Sequence, residues 1–148
     1  MSLDKERGES TLGTTDFVKS DKKQYNSIMS ALRRCWARSP KRVAVLNKAL
    51  HPTAKGPRGG ARRICGVCGE SFGTPELSVD HIDPVVPLHL SASEMTWDTI
   101  IDRMFNSAEE NLQPVCKKCH DLKTKEENKQ RKHYRDLKNT TKENKHAK

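Results

Sequence analysis

Apolar residues are scarce in this chain. They make up 33% of its 148 residues, and charged residues make up 32%. Such a sequence cannot fill a large apolar core, and a small domain with a thin core usually needs a metal or disulfides to hold it. No stretch approaches the ~20 apolar residues of a membrane span. The first twenty residues are polar and mixed in charge, with no apolar h-region, so no export signal is expected. Internal repeats and low-complexity runs are absent as well. The expectation is one domain of ordinary size in the cytoplasm, with no membrane association.

What the sequence does have is positive charge and paired cysteines. Lys and Arg number 28 against 19 Asp and Glu, for a formal charge of +9. That balance favours a polyanionic partner, nucleic acid ahead of acidic lipid. Ordinary solvated surface charge is the plainer alternative. Four of the five cysteines fall into two Cys-x-x-Cys pairs, Cys65 with Cys68 and Cys116 with Cys119. Where thiols stay reduced, this pattern points to zinc more than to disulfides. Four thiolates suit a closed, tetrahedral structural site. The 47 residues between the pairs exceed the usual ribbon spacing, so the intervening segment must carry its own elements. Cys35 lies outside the pattern and reads as a small core residue.

Residues 1–20 are expected to lack fixed structure. Residues 21–61 read as a basic helical segment and linker. Tyr25, Ile28, Met29, Leu32 and Trp36 form one apolar stripe at helical spacing. Ser39 and Pro40 suit an N-cap and first helical position of a second helix, with Val43, Leu46 and Leu50 inward. Residues 53–63, rich in Gly, Lys and Arg, read as a flexible basic linker. Cys65 to Gly69 has the form of a zinc knuckle, where Gly66 and Gly69 relieve steric limits. Residues 76–82 read as a strand, 94–105 as a helix capped by Ser93, and 112–115 as a second strand. A helix follows from about Lys117 with Leu122 inward. Residues 129–148 read as a basic tail, helical at first and then partly disordered. The fold class is α+β.

Asp80, His81 and His120 carry the remaining chemistry. Adjacent residues on a strand face opposite sides, so Asp80 and His81 can address different atoms of one substrate. His120 directly follows a cysteine ligand, near a helix N-terminus. A carboxylate and an imidazole suit a divalent cation, and a free histidine suits removal of a proton from water.

In order, spacing and flanking residues, several of these motifs resemble the HNH endonucleases, which have a ββα-metal core. They are Cys65-x-x-Cys68, Asp80-His81-Ile82, Asn111-Leu112-Gln113, Cys116-x-x-Cys119-His120 and Lys123-Thr124. The resemblance covers residues 62–128 and is nearest to small stand-alone bacteriophage members. It implies a zinc-stapled ββα-metal core with added N-terminal helices and an inserted helix. It implies Asp80 and His120 as ligands of a catalytic divalent ion such as Mg²⁺ or Mn²⁺, and His81 as the general base. Asn111 would hold the base-bearing loop. The implied reaction is hydrolysis of DNA phosphodiester bonds, leaving 5′-phosphate and 3′-hydroxyl ends, with weak sequence preference and a monomeric enzyme. Phage terminase subunits are implied as possible partners in the host cytoplasm.

Two features depart from compact members: a helix around Trp97 lengthens the His81–Asn111 separation, and Thr124 stands where some members carry a further ligand. Three other readings use the same letters. A c-type haem attachment would need export and leave Cys65, Cys68, Asp80 and His81 idle. A zinc deaminase would need Glu where Asp83 stands. A zinc-stapled DNA-binding module that cuts nothing has no need of Asp80, His81, Asn111 and His120 together.

Overall fold

The structure, a computed structural model, describes residues 22–146; the expectation for residues 1–20 lies outside that range. Two helices open it, α1 (Lys22–Trp36) and α2 (Pro40–Lys48). Ser39 caps α2, its hydroxyl accepting the Arg42 N–H, with Pro40 at the first position. Strands β1 (Leu50–Lys55), β2 (Ala61–Ile64) and β3 (Ser71–Gly73) form an antiparallel sheet in sequence order. Strand β4 (Leu77–His81) pairs antiparallel with β5 (Leu112–Cys116), setting Asp80 opposite Gln113 and His81 opposite Leu112. Helix α3 (Trp97–Phe105) lies in the excursion between them, and α4 (Lys117–His146) runs on directly from β5. The architecture is α+β, with a β–β–α unit built from β4, β5 and α4.

The core has two parts. One, around Leu77, Val79, Leu112 and Val115, fills the space between the β4–β5 hairpin and α2. The other, around Met29, Met95, Ile100 and Met104, joins α1 to α3. Trp36 packs against both, at the end of the α1 stripe. Because Ile100 is fully buried, Ile100→Ala is expected to destabilise by about 3 kcal/mol, read as a drop in the denaturant midpoint at unchanged m.

Several local expectations need correction. Residues 53–63 are no flexible linker. They form most of the β1–β2 hairpin, whose turn closes through Gly56 N–H to Gly60 O at 2.8 Å and uses a positive φ at Gly59. Pro52 is tolerated because β1 is an edge strand with an irregular register. Arg62 and Arg63 are spent inside the fold: Arg62 donates to Ser71, and Arg63 donates to the Leu46 carbonyl and to Thr74. In α2 the buried residues are Val45 and Leu46, while Val43 and Leu50 are exposed. The helix ends at Lys48, so Leu50 already belongs to a strand with a different direction.

Helix α3 starts later than expected, capped by Thr96, whose hydroxyl accepts the Thr99 N–H. Glu94 instead closes its own turn, accepting from the backbone N–H and hydroxyl of Ser91. Cys35 is exposed, because it sits beside Trp36 and off the apolar stripe. Leu122 is exposed too. Once Cys119 faces the core, the positions that follow at helical spacing are Lys123, Glu127 and Arg131, all half-buried.

Candidate functional site

Four sulfurs meet where the knuckle touches the start of α4. The Sγ atoms of Cys65, Cys68, Cys116 and Cys119 all lie within 4.8 Å of one another. Sulfurs around a tetrahedral zinc with ~2.3 Å bonds sit roughly 3.8 Å apart, so the cluster fits such an ion. The turn depends on glycine twice. Gly69 has φ +74°, and a Cβ at Gly66 would stand 3.3 Å from the Pro114 carbonyl that accepts the Gly66 N–H.

The thiols also behave as a cluster that wants a cation. Burial pushes Cys65 up, but backbone N–H donors, chiefly from Cys68 and Cys116, outweigh it and bring the thiol down to about 6. Cys119 is pushed up to about 12, first by its hydrogen bond with Cys116, then by burial and the other two sulfurs. One thiolate forms easily and its neighbour resists, a conflict that a bound metal removes.

The second constellation lies at the far end of β4. Leu77, Val79 and His81 are buried on one face; Ser78 and Asp80, on the other, are less so. Asp80 pairs with Lys123 of α4 at 2.5 Å. His81, 7% exposed, lies beside the Trp36 ring at a centroid distance of 4.9 Å. Its Nε2 is 3.0 Å from the Met104 carbonyl. A carbonyl only accepts, so the proton sits on Nε2 and the basic lone pair on Nδ1. Burial pushes the His81 pKa below its usual value. The Met104 bond and Asp80 oppose that shift, while Lys123 and Arg103 add to it. The ring is therefore neutral at pH 7.

The loop leaving β4 is fixed from two sides. Asn111 Oδ1 accepts the Asp83 N–H at 2.7 Å, and the Asn111 carbonyl accepts the Ile82 N–H at 2.8 Å. From α3, Arg103 pairs with Asp83 at 2.6 Å and donates to the Pro84 and Val85 carbonyls. His120 is half-buried and opens onto a groove of about 1010 Å³ that Ser78, Cys68, Lys118 and Lys125 also line. Asp80 and His81 do not line that groove. Among the described residues, no trio of His, Cys, Asp or Glu apart from the four cysteines comes together closely enough to hold an ion. Asp80 and His120 belong to no such group: Asp80 is held by Lys123, while His120 opens onto the groove that Asp80 does not line.

Comparison with known proteins finds a partial relative. A protein of Lactococcus phage SK1 named "Probable HNH endonuclease" is 37% identical over 65 residues, 44% of this chain and 57% of that protein. The chain resembles an HNH endonuclease. It spans a little over half the length of that relative. No protein-family profile matches the chain, and no solved structure matches it.

Sequence reading missed Arg103, Glu127 and Trp36 as parts of the site, and it placed Lys123 in the motif without its pairing to Asp80. Arg103 and Trp36 reach it only through tertiary packing, which no local spacing signals. Lys123 and Glu127 stand at helical spacing from Cys119, a pattern that could have shown them on its inward face. No described helix is long and apolar enough to cross a membrane.

Proposed function

We propose that the protein is a metal-dependent HNH endonuclease that hydrolyses DNA phosphodiester bonds. The observation that carries this reading is the end of β4. There a half-buried carboxylate faces α4, beside a neutral histidine held in one tautomer. A non-cutting DNA-binding module has no use for that pair.

In this reading a zinc ion held by Cys65, Cys68, Cys116 and Cys119 ties the knuckle to α4. Asp80 and His120 would hold a divalent ion, Mg²⁺ or Mn²⁺. Bound there, the ion would supply Lewis-acid stabilisation of the charge that develops at the scissile phosphodiester. His81 takes a proton from the attacking water at Nδ1 while the Met104 carbonyl holds Nε2–H. Asn111 and Arg103 keep the loop that follows His81 from drifting. Exposed lysines of α4, among them Lys118, Lys125 and Lys132, supply phosphate contacts, so binding falls steeply with salt. The partners are DNA and, by the phage resemblance, terminase subunits. A duplex oligonucleotide with end analysis tests the chemistry: cut ends that a DNA ligase rejoins directly carry 5′-phosphate and 3′-hydroxyl. Ends that need phosphatase or kinase treatment first contradict the mechanism.

The His81 shift sets the pH dependence. Unfolded, the ring takes a proton near 6.5; folded, it does so only at lower pH. Between those values the unfolded chain holds more protons, so stability is complete above 6.5 and declines as pH falls through the window. Cutting follows the same direction: flat above 6.5, with an acid limb below it, read from single-turnover rates across pH 5–8.

A further inference from the structure

The ion pair at Asp80 is the most enclosed among the described residues. The side chains of Asp80, Lys123 and Glu127 are 18%, 25% and 22% exposed. In each other ion pair at least one side chain is 46% exposed or more. Lys123 Nζ lies 2.5 Å from Asp80 Oδ2 and 3.1 Å from Glu127 Oε1, and it also donates to the His81 carbonyl. All three ammonium protons are thereby engaged by oxygens. Two carboxylates and a strand-end carbonyl surround one positive charge. That is the kind of oxygen set a hard divalent ion takes.

We propose that Lys123 is a displaceable resident cation of this site. It neutralises Asp80 while no divalent ion is bound, and gives up that carboxylate when one binds. Glu127 is where the ammonium then stays. It lies one turn further along the same helix, so Lys123 keeps one partner without any movement of the backbone. A compact ammonium on a flexible stem suits that exchange better than a planar guanidinium. The device spares the metal-free protein an unpaired carboxylate in a half-buried place. It also makes metal affinity lower than the ligands alone would give. This inference rests on the metal role read above for Asp80.

The test is Mn²⁺ titration of zinc-loaded protein by calorimetry, with free Mn²⁺ counted by electron paramagnetic resonance. Lys123→Met, which keeps length and loses charge, is expected to lower the Mn²⁺ Kd about tenfold. Glu127→Gln is expected to raise it severalfold, because Asp80 is then the one carboxylate left to the ammonium. Should Lys123→Met lose zinc or helical signal, Lys123→Gln carries the same expectation. Unchanged, weaker or absent Mn²⁺ binding in the lysine variant overturns the proposal. Plasmid cutting by the same preparations separates this from the nuclease reading. Tighter Mn²⁺ binding with no cutting by any variant leaves the displaceable lysine standing and removes the nuclease. Cutting by wild type with an unmoved Kd does the reverse.

Discussion

Cys116→Ser is expected to abolish the cooperative fold. Cys116 closes the β4–β5 hairpin, begins the turn into α4 and supplies one of the four clustered sulfurs. Structural zinc contributes on the order of 10 kcal/mol at neutral pH. A whole domain is stable by only about 5–15 kcal/mol. With so few apolar residues, the rest of the core cannot make up that loss. The measurement is thermal melting by circular dichroism, beside metal content. Wild type should hold one zinc per chain and melt in one transition, while the serine variant and chelator-treated wild type should melt broadly or show no transition. A serine variant melting within a few degrees of wild type would mean that the cysteines do not staple the fold.

His81→Gln should lower cutting by about 10²–10⁴-fold, the range of general-base contributions. Glutamine can still donate to the Met104 carbonyl and fills similar space, so zinc content and melting should change little. It has no lone pair of useful basicity. Lost cutting with the fold intact therefore assigns the proton transfer to the imidazole. His81→Ala mixes that loss with a cavity beside Trp36, because the two rings are in contact. If the glutamine variant cuts as fast as wild type, the base lies elsewhere.

Much of this molecule is legible along the sequence because its chemistry is local. Each Cys-x-x-Cys pair folds on its own turn, and β4 alternates as its apolar residues require. Ser39-Pro40 marks a helix start by capping and fixed φ alone. What the sequence hides is of two kinds. The β1–β2 hairpin has almost no apolar alternation; glycines at its turn and a third strand pairing with β2 hold it, and composition reads that as a linker. The inner face of α4 is charged instead of apolar. Arg131 donates to the Val86 and Pro87 carbonyls, and Lys138 pairs with Glu94. A hydrophobic search therefore turns Leu122 inward and misses the polar side that packs. The tautomer of His81 depends on Met104, 23 positions away, and no spacing rule connects the two.

The central claim is that this protein cuts DNA with a divalent ion. The most direct measurement is conversion of supercoiled plasmid by zinc-loaded wild type in Mg²⁺ or Mn²⁺, beside EDTA and His81→Gln. The account predicts open-circle or linear product in the metal lanes of wild type alone. Plasmid that is bound, and shifted in the gel, yet never cut with any divalent ion would contradict it and leave a zinc-stapled DNA-binding module.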